Sequence, residues 1–150
     1  MTSRDICRHH IAQSRVGDAA ASCVATVGIS NAERVGLRRE AKMPAFGTIN
    51  TLVHVSCPLA PGAFIEAVSI ATEARTAAIM ETSPAREDSV TGTGTDCIIV
   101  AAPTGENPAS CAGLHTDIGE AIGAAVYGAI FVGATQWWAE TTPLPAVQRT

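Results

Sequence analysis

Apolar and polar positions alternate from Thr48 to Cys57, and Ile49, Thr51, Val53 and Val55 fall on one side of that alternation. A two-residue period of this kind predicts a half-buried strand. Cys23 to Ile29 is a shorter apolar run rich in β-formers and closed by Ser30-Asn31, which predicts a second, buried strand. Cys97 to Ala102 is apolar at every position, so a third strand is expected there, covered on both faces and central in its sheet. Between the second and third of these runs the period changes. Pro58 and Pro61 end the strand and open a helix expected to reach about Met80, where Glu66, Ser69, Glu73 and Thr76 recur at steps of three and four as one polar stripe. A last helix is predicted from His115 to about Thr135. Its Asp117 and Glu120 have capping-box spacing, and Gly119 and Gly123 form a smooth face for close approach. The stretches 32–44, 83–88 and 103–113 read as connections, and residues 1–20 and 141–150 as loosely ordered ends. The class is therefore α/β: a single domain over residues 1–150 with a layered, βαβ-containing sheet of at least three strands and two main helices packed against it.

Composition narrows the partners. Hydrophobic residues make up 47% of the chain and charged residues 16%, enough for a packed core, while aromatics at 4% leave alanine and glycine to form much of it. A net charge of -4 argues against nucleic acid. Five cysteines without a Cys-x-x-Cys spacing suggest small buried hydrophobes in a reducing compartment and no metal site. Met1 to Arg15 lacks an apolar stretch of signal-peptide length, and Ile118 to Val132 is broken by glycines and carries Glu120. The expectation is a cytoplasmic protein with no membrane partner.

Candidate chemistry concentrates in a few segments. Thr91-Gly92-Thr93-Gly94-Thr95-Asp96 precedes the third strand. Its glycines let backbone come close to a ligand, its N–H groups and hydroxyls could hold an oxyanion, and Asp96 could act as a base or orient one; the competing reading is a tight turn. No Gly-Lys-Ser/Thr follows, so it is not a Walker loop. Asn50, in Gly47-Thr48-Ile49-Asn50, points either to a ligand or into the core, where its amide must be bonded. Glu73 and Thr76, in Thr72-Glu73-Ala74-Arg75-Thr76, share a helical face with Glu66, which could equally be a solvated stripe. His115 at a helix start, with Glu120 about a turn on, would stay neutral and able to accept a proton; Asp117 and Glu120 could also be mere caps.

Taken in order, Gly28-Ile29-Ser30-Asn31-Ala32, Gly47 to Asn50, Thr72 to Thr76, Thr91 to Asp96, and Gly113-Leu114-His115-Thr116 through Gly119-Glu120 to Gly123 are similar to adenosylcobinamide amidohydrolases over roughly Cys23 to Val132. The chain departs from that family in a shorter segment ahead of Ser30, and in Cys111 and Leu114 where an aromatic and a smaller polar residue are expected. The resemblance implies hydrolysis of the amide joining a corrin side chain to aminopropanol. The corrinoid is the small-molecule partner, and its cobalt belongs to the substrate, so no separate cofactor is implied. From residue chemistry, the expected catalytic groups are Asp96 or Glu120 as base and His115 as proton shuttle, with N–H groups near Gly92 and Gly94 as oxyanion donors. Ser30, Asn31, Thr48, Asn50, Glu73, Thr76, Thr91, Gly92, Thr93, Gly94 and Thr95 are expected to contact substrate. A threonine nucleophile in the Thr/Gly run is the competing route. A non-catalytic corrinoid-binding remnant and a nucleotide- or phosphate-binding domain are the rival functions. The oligomeric state is not legible.

Overall fold

The computed structural model describes residues 4–37, 47–83 and 90–141. After a single 3-10 turn, Ile6–Arg8, strand β1 (His10–Val16) turns back at Gly17-Asp18 into β2 (Ala19–Val27). Gly17 has φ 52°, the left-handed conformation that a two-residue hairpin asks of its loop. The N-terminal stretch expected to be loosely ordered is thus half of a hairpin. Its alternation is weak because β1 is an edge strand that turns the apolar Ile11 outward and the polar His10 and Ser14 inward.

Strand β3 (Ala32–Glu33) follows, then β4 (Ile49–Val55), helix α1 (Pro61–Thr82), β5 (Gly92–Thr93), β6 (Cys97–Ala101) and helix α2 (Asp117–Thr141). The main sheet has the order β1-β2-β4-β6; β4 pairs antiparallel with β2 and parallel with β6, while β3 and β5 form a separate two-stranded ribbon. The α/β class is confirmed. Parallel β4 and β6 are joined through α1, which is the βαβ unit.

Both helices pack against the sheet and share one core with it. Ile49, Thr51, Val53 and Val55 are buried as their alternation requires. On β2 the inward positions Ala19, Ala21, Cys23 and Ala25 are small, which lets α2 come close. At the end of that approach, a Cβ on Gly133 would meet Val27 Cγ2 at 2.6 Å. By length and composition α2 could cross a membrane, yet half of its apolar stretch is buried within the protein.

Three expectations are corrected. β6 is an edge strand: Cys97 and Ile99 face outward with Leu52 on β4, so a run apolar at every position did not mean cover on both sides. Only Cys23 of the five cysteines is buried; burial pushes its thiol up to about 12, whereas Cys7, Cys97 and Cys111 are exposed. The cap lies one residue earlier than expected, and with Gly119 at the third helical position no capping box forms. Thr116 caps α2, its hydroxyl accepting from Gly119 N at 3.0 Å, and Asp117 and Glu120 lie in the first turn, where the helix dipole favours them.

Candidate active site

Three groups of the expected residues form, and they lie apart. The first is a knot around Asp96, where β4 and β6 begin. The Asp96 carboxylate accepts from Ile49 N at 3.1 Å, from Thr93 N at 2.9 Å and from Thr93 Oγ1 at 2.5 Å, and pairs with Arg75 at 2.5 Å. Those four donors occupy about the four acceptor sites a carboxylate has. Both partners of the ion pair are nearly buried, with side-chain exposures of 13% for Arg75 and 8% for Asp96. Thr76 joins the knot by accepting from Arg75 at 3.2 Å. The Thr95 and Thr48 hydroxyls lie 2.7 Å apart, and each is within hydrogen-bond distance of the Gly47 carbonyl.

Ser30 and Asn31 pack on Gly47, whose missing Cβ makes room for them, and Gly94 N reaches the Asn31 carbonyl at 3.4 Å. Thr91 holds the ribbon, its N–H donating to Glu33 O and its hydroxyl accepting from Val35 N. Gly92 pairs with Glu33 across the ribbon, and a Cβ there would fall on Asp96. Asn50 lies beside this knot on the open face of the sheet, in register with Thr26 and Cys97, and donates to Thr26 Oγ1 at 3.1 Å.

The second group is a groove of about 480 Å³ between α1 and α2. Glu73 enters it from α1 and Glu120 from α2, over a floor of Ile70, Ala74, Gly123 and Ala124. The helices run in the same direction, since Glu66, Ile70 and Glu81 meet Ala112, Gly123 and Tyr127 in turn. Gly123 leaves space in front of Ile70, which keeps the groove open. Glu66 is no part of a solvated stripe: its carboxylate accepts from Ala112 N at 2.6 Å and ties the loop before α2 to α1. At one end Leu114 borders the groove; at the other, Tyr127 OH donates to Glu81 at 2.6 Å across the two helices, which raises the phenol above its ordinary value.

The third position is His115, exposed next to Leu114, with its ring against Gly113. It does not line the groove, although Leu114 beside it does, and it stands far from Asp96. The start of α2 abuts the β1–β2 turn through Asp117 and Gly17, at the Val55 end of β4, while Asp96 binds the Ile49 end. The length of β4 between them is about 20 Å.

Arg75 and Tyr127 are two participants that were not among the expected site residues. Each carried a signal: Arg75 is the only cation of α1, and Tyr127, the only tyrosine in the chain, follows Glu120 and Gly123 at steps of three and four. Among the described residues no three His, Cys, Asp or Glu side chains gather as a metal site.

Fold and groove together define an α/β protein with two carboxylates, Glu73 and Glu120, lining one largely apolar groove between its helices. The chain belongs to the adenosylcobinamide amidohydrolase family: the family model CbiZ, described as adenosylcobinamide amidohydrolase, matches residues 1–142. That match is longer than the stretch over which the motifs alone suggested it. Nothing among curated proteins or solved structures matches the chain.

Proposed function

We propose that this protein hydrolyses the amide joining the corrin side chain of adenosylcobinamide to 1-aminopropan-2-ol, in the cytoplasm, and that the α1–α2 groove is where it does so. The family match over residues 1–142 carries this reading. The groove supports it with chemistry, because Glu73 and Glu120 both come from segments that carry the family resemblance and both line the same space.

In this mechanism Glu120 takes a proton from a water that attacks the amide carbonyl. The tetrahedral intermediate collapses, the C–N bond breaks, and the departing nitrogen receives the proton from Glu120. Glu73 orients the side arm, and the exposed His115, next to Leu114 at the groove's border, exchanges the proton with solvent. The products are a carboxylate and an ammonium. Two glutamates repel the first and attract the second, which separates the products after cleavage. Asp96 takes a positioning role: through Arg75 it holds the helix that presents Glu73 two residues earlier. The corrin ring exceeds a groove of about 480 Å³, and the exposed Leu114 at the groove's border offers it an apolar surface to rest against.

The test is incubation with adenosylcobinamide and detection of adenosylcobyric acid and 1-aminopropan-2-ol by mass spectrometry. Glu120→Gln is expected to lower turnover about a hundredfold or more, the usual size of a general-base contribution, and Glu73→Gln to act mainly on KM. Absence of product from the unaltered protein overturns the reaction; full turnover in both variants overturns the groove as its site.

A further inference from the structure

The groove-facing stripe of α2 does not stop at Tyr127. Glu120, Gly123, Ala124, Tyr127 and Phe131 follow at steps of three and four, so Phe131 extends the same face by one turn. The rings of Tyr127 and Phe131 stack with centroids 5.5 Å apart and planes at 27°. Among the described aromatic residues, Phe64, Tyr127, Trp137 and Trp138 are partly buried and pack against the core, and Phe131 is the most exposed. It stands 37% exposed beside a groove in a protein whose aromatic content is 4%. Its neighbour is fixed: the bond from Tyr127 OH to Glu81 Oε2 clamps the phenol ring between the two helices. Among the described residues Glu81 Oε1 has no hydrogen-bond partner of its own.

We infer that Tyr127 and Phe131 form a stacking platform for a planar, amino-bearing heterocycle, which makes them the determinants by which the groove prefers adenosylated corrinoids. The inference rests on the hydrolase reading and adds a specificity site to it. Tyr127 lies seven residues beyond Glu120, about 10 Å along the helix, and Phe131 a further turn away. The two ends of the groove therefore engage two separated points of one large ligand. The scissile arm hangs from the ring's edge, while the adenosyl group sits on the cobalt at its centre. Stacked rings hold any purine face without needing hydrogen bonds to define it, and the Glu81 oxygen adds a preference for an exocyclic amine.

Equilibrium binding of adenosylcobinamide and of cyanocobinamide, measured in the dark by calorimetry, tests the platform. The unaltered protein is expected to bind the adenosyl form about tenfold tighter or better, the lower range of a base-stacking contribution. Phe131→Ala, at an exposed position, should keep the circular dichroism of the fold and bring the ratio of the two affinities toward one. Tyr127→Phe, which keeps the ring and loses the Glu81 bond, should retain most of the preference. An unaltered ratio in Phe131→Ala, or no preference in the native protein, overturns the platform. Turnover measured on the same samples separates the two ideas. Preferential binding without release of aminopropanol removes the hydrolase reading and leaves the platform; hydrolysis with a ratio indifferent to Phe131→Ala does the reverse.

Discussion

Asp96 receives two backbone N–H groups from different segments, one hydroxyl and one guanidinium, so a single side chain joins the start of β4, the ribbon and α1. Replacing it with asparagine preserves shape but removes the charge opposite a nearly buried Arg75. Breaking a buried pair from one side costs about 3–5 kcal/mol, because the remaining charge is left without compensation. Asp96→Asn is accordingly expected to lower stability by that order in denaturant titrations, with turnover at low temperature changed only a few-fold. A loss of turnover of a hundredfold with stability unchanged would instead make Asp96 the base. Its place at the head of a strand was legible from the chain alone. Its saturation by four donors was not, since the donors lie in segments that meet only after folding.

At the scale of elements, two glycines of α2 that look alike in sequence have opposite surroundings. A Cβ on Gly119 would fall on the Gly113 carbonyl, with Ala112 O 2.7 Å away, whereas one on Gly123 meets only Ile70 at 3.7 Å. Gly119→Ala therefore forces backbone apart and should destabilise by about 1–3 kcal/mol or more. Gly123→Ala creates no clash and gains helix propensity, so it should be neutral or stabilising by up to about 1 kcal/mol. Paired thermal melts check both, and equal effects would show that the two positions are not distinguished as the packing requires. The helices themselves were readable from their period to within a turn at most boundaries. The exception is the far end of α2, which runs on to Thr141 because Trp137 and Trp138 give its last turns contacts with the core and Arg4 stacks over Trp137 at 5.2 Å.

The whole molecule is closed by its ends. Arg4 and Arg8 bond Glu140 at the end of α2, and His10 opens β1 against Gly133 with its Nε2 buried and without a partner. The imidazole is held below its ordinary value of 6.5, first by burial, then by Arg4 and His9, with Glu140 opposing. Glu140 is held below 4.5, chiefly by its bond from Arg4 and then by Gln136. Both groups bind protons more readily in the unfolded chain, so each contributes stability that is complete above its unfolded value and is lost as pH falls through its folded one. The melting temperature should therefore begin to drop below about pH 6.5 and fall again below about pH 4.5. His10→Gln should flatten the first step and leave the second. A melting temperature constant between pH 7.5 and 5.5 would show that His10 titrates as freely as in the unfolded chain.

Local period and turn chemistry by themselves determined the α/β class, strand β4 with its buried face and both helices, because each depends on neighbours a few residues apart. Only the tertiary structure decided that β6 is an edge, that Thr116 is the cap, that Asp96 belongs to Arg75, and that Glu73 and Glu120 line one groove while His115 and Asp96 stand at opposite ends of β4. Those outcomes depend on which side chains are brought together across the sheet and between helices. Sequence separation says nothing of that until the chain has closed on its core.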